Sequence, residues 1–303
     1  MKKIIELIKS TLEKAIMKLF GLEQLITSCR GAANPPAIGS KTQYWYGRVN
    51  YWADSGALQK KEVEYMKKMG VTGYIIEMAG WGGSDMRQKP TSSAYKKWVK
   101  HIETYYKHLH ELCKKHGLWL FVCIVNDNAL SSKHENKAVD AKHYYNNVAT
   151  NLLNIVLKDG AQNVIVQPIS ELHPSRVKNH PGPAWFKNAV AKLKAAGFST
   201  CNNDGYGRPS GLGGCNFLAW HPNRISHLPS LKVAKNRIFI VSDTGGIISE
   251  LNGGTNCDKK DAKCKPSKIK EWRKKCAGYA VVGYYDFVRK SYNPDAIKAM
   301  GGK

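Results

Sequence analysis

The chain has 303 residues, 43% of them hydrophobic and 10% aromatic. That composition excludes a disordered or low-complexity chain and is ample for the core of one large domain, since a single α/β barrel uses about 250 residues. The 47 basic and 23 acidic side chains give a formal charge of +24. Such a field favours polyanions such as nucleic acid, acidic glycans or anionic lipid surfaces, or else only keeps a lysine-rich surface solvated.

Residues 1–30 open the chain with Ile4, Ile5, Ile8, Leu12, Ile16, Leu19 and Leu22 at helical spacing, lysines and glutamates lying between them. Glu6, Lys9, Glu13, Lys14 and Lys18 interrupt every apolar run, so the segment reads as neither a spanning helix nor the apolar region of a signal peptide. It reads as an amphipathic helix that lies on a membrane, docks on a partner protein, or packs against its own domain. Leu25-Ile-Thr-Ser-Cys29 resembles a lipid-attachment box but lacks the apolar stretch such a box requires. Gly31-Ala-Ala-Asn-Pro-Pro-Ala-Ile-Gly-Ser40 is a linker by composition, which places a domain boundary there and a main domain over 41–303.

From residue 41 onward, strand and helix signals alternate. Strands are expected at 43–50, 72–77, 118–125, 163–169, 198–202, 216–220, 237–242 and 279–284. Helices are expected at 57–69, 92–116, 138–158, 183–196, 266–276 and 294–300. Gly70 and Gly117 mark two of the helix ends. Eight strands with intervening helices predict an α/β fold, a closed (β/α)8 TIM barrel preceded by the N-terminal amphipathic helix. A doubly wound sheet is the rival, but no glycine fingerprint follows the first strand. After the fifth strand, Asp204 to Gly214 leaves no room for a full helix.

Eight cysteines are even in number, yet a chain of this size needs no staples. Cys113 and Cys123 read as core thiols. Cys257 with Cys264, and Cys201 with Cys215, flank loops short enough to be bridged, and two such bridges would imply maturation in an oxidising place. The expected location is accordingly outside the cell or on a cell or particle surface. No CxxC or HExxH spacing occurs, so no metal and no cofactor are expected.

Barrel sites sit at the C-terminal ends of strands, and every strand here ends in polar or aromatic groups. Val164-Ile-Val-Gln-Pro-Ile-Ser-Glu171 is a β-branched run that delivers a carboxylate at its lip, and Ile238-Phe-Ile-Val-Ser-Asp243 repeats the design. Two acids at strand mouths are the minimum equipment for hydrolysing a glycosidic bond, one protonating the leaving oxygen and the other facing the anomeric carbon. The remaining ends supply Arg48, Asn50, Trp52, Glu77, Trp81, Asn126, Asp127, Asn202, Asp204, Tyr206, Trp220, His221, Tyr284 and Asp286. Flat aromatics mixed with amides and carboxylates suit sugars, whose C–H faces stack on rings while hydroxyls take directed hydrogen bonds. Glu77 reads either as a substitute for Asp243 or as a buried acid satisfied by Arg48.

On Gln-Pro-Ile-Ser-Glu171 and Val-Ser-Asp243-Thr-Gly-Gly the chain resembles the clan of retaining (β/α)8 glycosidases that includes cellulases, mannanases and β-galactosidases. The resemblance implies an acid/base at Glu171 after strand four and a nucleophile or base at Asp243 after strand seven. Two positions depart from the clan's pattern. Ser170 stands where the clan has Asn, and Asp243 is one methylene shorter than the usual Glu, which widens the gap beyond the retaining value of about 5–5.5 Å. The sequence thus points to an O-glycoside hydrolase acting on a poly- or oligosaccharide, with a carbohydrate, acidic in keeping with the cationic surface, as its ligand. The alternative is a non-catalytic glycan-binding or structural surface protein on the same barrel. No nucleic-acid recognition motif is present.

Overall fold

The computed structural model describes residues 41–48, 56–79, 84–131, 139–172, 178–201, 215–220, 238–242, 266–286 and 292–303, together with the backbone of 204–205 and 208–209. The expected N-terminal helix and the linker lie outside the described residues. The elements run β1 (Gln43–Arg48), α1 (Gly56–Met69), β2 (Gly73–Glu77), α2 (Ser93–His116), β3 (Trp119–Asn126), α3, β4 (Val164–Ser170), α4 (Gly182–Ala195), β5 (Ser199–Thr200), β6 (Leu218–Trp220), β7 (Ile238–Ser242), α5 (Pro266–Lys275), β8 (Val281–Asp286) and α6 (Pro294–Gly301). Helix α3 is composite, with α-helical Ala141–His143 and Thr150–Asp159 on either side of a π-helical turn, Tyr144–Ala149. A two-stranded antiparallel ribbon, Asp204–Gly205 with Arg208–Pro209, stands between β5 and β6.

All eight strands pair in parallel, in the order β5-β4-β3-β2-β1-β8-β7-β6. A parallel bridge from Cys201 to Phe217 joins the two edges, and the amides of Asn216 and Phe217 both donate to the Thr200 carbonyl at 3.0 Å. The sheet is therefore a closed ring, which rules out the doubly wound alternative. Strand positions follow the sequence reading to within about two residues.

Closure divides the apolar side chains into two layers. Trp45, Ile75, Phe121, Ile165, Cys201, Phe217, Ala219 and Val281 fill the ring. Tyr46, Tyr74, Leu120, Val122, Val164, Val166, Val282 and Tyr284 face the helices and join the larger outer core. Strand side chains alternate between these layers with period two. Gly73 leaves room for the Trp45 indole, because a Cβ there would stand 2.5 Å from the ring.

The helices dock on the ring by their apolar stripes, and their ends are set by local chemistry. Ser92 Oγ accepts from the Tyr95 amide at 3.2 Å to start α2, and Gly117 in the left-handed region (φ 63°) ends it, its amide returning to the last turn. His110, fully buried on α2, contacts Asp159 (2.6 Å) and the Gln162 carbonyl (2.8 Å), which fixes α2 to the α3–β4 turn.

Two sequence expectations are corrected here. Cys201 and Cys215 are buried and not joined by a disulfide, because Cys201 packs within the ring and Cys215 in the outer core, on opposite sides of the sheet. Cys257 and Cys264 lie outside the described residues. Arg48 follows the same alternation as Tyr44 and Tyr46 and turns toward α1, not toward Glu77. Its guanidinium meets Glu62 with Nη2–Oε2 and Nε–Oε1 both at 2.6 Å, and the Tyr74 hydroxyl donates to the same Oε2 at 2.6 Å. Burial, reinforced by the Glu62 charge, pushes the Tyr74 hydroxyl well above the ordinary tyrosine range, so it remains a donor.

Removing one partner of a buried ion pair strands the other charge. Glu62→Ala is expected to lower unfolding free energy by about 3–5 kcal/mol in urea titration, against about 1 kcal/mol for Tyr74→Phe. Equal, small losses in the two variants would contradict this role for the pair.

Candidate active site

The described strand ends bring their polar groups together on one arc of the ring, over β2, β3 and β4. Glu77 ends β2, Asn126 ends β3, and Glu171 follows directly after β4. A 3-10 turn, Asp127–Leu130, carries the chain away from β3 and presents Asn128. All of these side chains are buried or nearly so: Glu171 is 8% exposed, Glu77 6%, Asn128 2% and Asp127 0%.

A relay of amides connects the two carboxylates. Asn126 Nδ2 donates to Glu77 Oε1 at 3.1 Å, and Asn126 Oδ1 accepts from the Asn128 amide at 2.9 Å. The Asn128 side chain then donates through Nδ2 to Glu171 Oε2. Each link uses an amide in the way its two ends dictate, oxygen accepting and NH2 donating. The result is a carboxylate whose rotation is fixed by a donor from a neighbouring strand end.

Glu171 has φ 51°, in the left-handed region that a residue with a Cβ adopts rarely. It is one of three described non-glycine residues with positive φ; the other two, Asn163 and Asn179, are of a type that tolerates it. Left-handed backbone at a non-glycine residue costs of order 1–3 kcal/mol and persists where the surroundings impose it. Here the imposing element is the β4 terminus, where Pro168 interrupts the ladder donors just before the chain turns.

Asp127 supports the turn that carries Asn128. Its Oδ1 accepts from the Tyr145 hydroxyl at 2.6 Å, and its Oδ2 lies 3.1 Å from His180 Nε2. The Gly182 amide donates to His180 Nδ1 at 3.0 Å, so the ring proton sits on Nε2 and points at Asp127. The β3 and β4 loops are thereby joined twice, by Asn128–Glu171 and by Asp127–His180. Tyr144 completes the support, donating to the Asn126 carbonyl at 2.8 Å and accepting from the Asn126 amide at 3.2 Å. Burial, followed by the negative charge of Asp127, pushes both tyrosine hydroxyls well above their ordinary range, so both remain donors. The π-helical turn lets two consecutive tyrosines reach the same strand end, a use for which such turns are known.

The expected site residues divide into four groups. Asn126, Asp127, Glu77 and Glu171 are brought together. Arg48 and Tyr284 are not: Arg48 is paired with Glu62, and Tyr284, 1% exposed, packs 6.2 Å from the Tyr46 ring in the outer core. Asp204, Trp220 and Asp286 have their backbones on the ribbon, β6 and β8. Asn50, Trp52, Trp81, Asn202, Tyr206, His221 and Asp243 lie outside the described residues, Asp243 immediately after the end of β7 at Ser242. The sequence reading missed Asn128, Tyr144, Tyr145 and His180. Asn128 closes the tripeptide Asn126-Asp127-Asn128, so its neighbours could have flagged it, and His180-Pro-Gly stands at a helix start. Among the described residues no group of three His, Cys, Asp or Glu side chains converges in a way that could hold a metal ion.

The backbone at 171 can be tested apart from any chemistry. Glu171→Gly and Glu171→Ala both remove the bond to Asn128, but only alanine keeps a Cβ in the left-handed region. The glycine variant is expected to be the more stable by about 1–2 kcal/mol in chemical denaturation. An alanine variant as stable as the glycine one would show that the left-handed conformation is not held in the protein.

No protein-family model matches the chain, and no curated protein matches it in sequence. Solved structures do match. The α-L-fucosidase isoenzyme 1 from Paenibacillus thiaminolyticus is 8% identical, with 88% of this chain and 72% of that one covered at a TM-score of 0.54. The hyperthermostable endo-1,4-β-D-mannanase from Thermotoga petrophila RKU-1 is 10% identical over 87% of this chain and 99% of its own, at a TM-score of 0.52. A hyperthermophilic endo-β-1,4-glucanase in complex with substrate is 11% identical over 86% and 97%, at 0.51. The resemblance drawn from the strand-four and strand-seven endings therefore holds at the level of fold: this chain has the α/β-barrel architecture found in glycoside hydrolases.

Proposed function

We propose that the protein is a glycoside hydrolase that cleaves O-glycosidic bonds of a poly- or oligosaccharide. Glu171 is the acid/base, and Asp243 is the nucleophile or the base that activates water. The observation that carries this reading is the setting of Glu171: a carboxyl group at the C-terminal lip of β4, on left-handed backbone, with its orientation fixed by the Asn128 amide. Catalytic acids require such fixed aim, because proton transfer needs the donor within hydrogen-bond reach of the leaving oxygen. A purely structural acid at a strand end needs neither unusual backbone nor a dedicated donor.

In this mechanism the Glu171 carboxyl protonates the glycosidic oxygen as the bond to the anomeric carbon breaks. Asp243, from β7 across the ring, meets the positive charge that develops on the sugar, either by attacking it or by deprotonating the water that does. In the first case Glu171, now a carboxylate, takes the proton from the incoming water in a second step. Asn128 and Asn126 keep Glu171 and Glu77 in register, and in this reading Glu77 binds a sugar hydroxyl. The likeness in fold to a mannanase, a glucanase and a fucosidase supports a carbohydrate ligand.

Glu171→Gln keeps the shape and can still accept from Asn128, but cannot cycle a proton. It is expected to lower kcat by about 10²–10⁴-fold, with oligosaccharide binding by calorimetry unchanged. Asp243→Asn is expected to match that loss, and Glu77→Gln to raise KM more than it lowers kcat. Unchanged product release by Glu171→Gln in a glycan panel would end the proposal. A total loss with Glu77→Gln beside an active Asp243→Asn would transfer the second role to Glu77.

A further inference from the structure

Two aromatic side chains at the start of α4 meet the π-helical turn of α3. The Tyr145 ring lies 5.6 Å from the His180 ring and 5.7 Å from the Trp185 indole. His180 bonds Asp127, whereas Trp185 acts on the turn itself. Its Nε1 donates to Thr150 Oγ1 at 3.2 Å, and the Thr150 hydroxyl donates onward to the Tyr145 carbonyl at 2.8 Å.

The second of these bonds is matched to the width of the turn. On a regular α-helix a threonine hydroxyl reaches the carbonyl three or four residues back. Thr150 reaches five residues back, to a carbonyl that the wider turn Tyr144–Ala149 brings within its range. A π turn is the rare alternative to a regular α turn and occurs mostly as a single insertion. The hydroxyl favours that alternative, because its bond is made at the five-residue spacing. Trp185 is not needed to dock α4, whose buried face is supplied by Phe186, Ala189, Val190 and Leu193. A half-buried indole with its N–H aimed at one hydroxyl is a directed contact.

What depends on the turn is the aim of Glu171. If the turn relaxed to α-helical geometry, the residues before it would rotate relative to those after it by about 100°, the angle of one helical residue. Tyr144 and Tyr145 would then no longer both face the end of β3. There Tyr144 holds the backbone of Asn126, and Tyr145 holds the Asp127 carboxylate. Asn126 and Asp127 in turn place Asn128, the donor to Glu171. The path from the Trp185 indole to the Glu171 carboxylate thus runs through hydrogen bonds and adjacent residues without a gap.

We propose that Thr150, with Trp185 behind it, is a positioning residue for Glu171, acting through the π turn on Tyr145, Asp127 and Asn128. Its effect on turnover rests on the hydrolytic reading, and its effect on Asn128 rests on the geometry alone.

The test follows the isotope-labelled asparagine side chains of the full chain by NMR, beside kinetics on an oligosaccharide. The Asn128 amide signal, identified by its loss in Asn128→Asp, reports the bond to Glu171. Thr150→Val keeps the shape of the side chain and removes the hydroxyl. It is expected to move the Asn128 signal toward that of an unbonded amide and to lower kcat by about 10–100-fold, with KM changed less than about two-fold. The limb of the kcat/KM pH profile set by Glu171 is expected to shift with it. Thr150→Ser restores the hydroxyl and is expected to keep the signal, with kcat within about three-fold of the parent. Trp185→Phe keeps a ring without the donor and is expected to show the same changes at smaller size; it carries the comparison if Thr150→Val does not fold. An unchanged signal, kcat and pH profile in Thr150→Val would overturn the inference, even beside a lowered Tm. So would a moved signal with unaltered kcat and profile, or equal losses in the valine and serine variants. Any of these beside an inactive Glu171→Gln leaves the hydrolytic reading standing, whereas full turnover by Glu171→Gln removes that reading and this inference with it.

Discussion

A single strand end does not hold a glutamate still, as the acid role proposed for Glu171 would require. In this protein the constraint comes from sideways: Glu171 is reached by Asn128, Asn128 by Asn126, and Asn126 touches Glu77, so three neighbouring strands fix one another's ends. The register that makes this possible is the parallel pairing of β2, β3 and β4, which sets Glu77 beside Cys123 and Asn126 beside Ser170. Beneath the relay, Asp127 with Tyr145 and His180 keeps the turn carrying Asn128 in place. The glutamate thus receives its amide donor from the adjacent strand's turn, through Asn128.

The fold was legible because its strands are buried on both faces and its helices are capped. Runs such as Val164-Ile-Val-Gln and Trp119-Leu-Phe-Val-Cys-Ile-Val announce parallel strands by their β-branched and aromatic content, and Gly70 and Gly117 mark helix ends by the left-handed backbone they adopt. The same property hid the site. A strand apolar on both faces carries no alternation from which to tell inside from outside. Arg48 and Tyr284 were therefore grouped with the strand-end residues, although both continue the outward face of Tyr46. Cys201 and Cys215 looked bridgeable by separation along the chain, but the sheet stands between them. Tyr144 and Tyr145 were missed for a different reason. They share one target only because the helix is locally widened into a π turn, and no 3.6-residue periodicity anticipates that.

The molecule also separates its tasks by end. Stability-bearing features, the Trp45–Gly73 fit within the ring and the Arg48–Glu62–Tyr74 group behind it, occupy the body of the barrel. Buried carboxylates and amides gather at the strand C-termini, and the chain enters β1 at the other end. A barrel allows this division because its loops at one end vary without disturbing the packing at the other.

The central claim is that Glu171 shares one mouth with a second carboxylate from β7. A crystal structure of the full chain with an oligosaccharide bound, at a resolution that defines carboxyl oxygens, measures it directly. The account predicts the Glu171 and Asp243 carboxyl groups about 5–9.5 Å apart on either side of one glycosidic bond. Carboxyl groups turned away from each other, or sealed from solvent with the sugar bound elsewhere, would contradict it and leave a barrel that binds glycans without cleaving them.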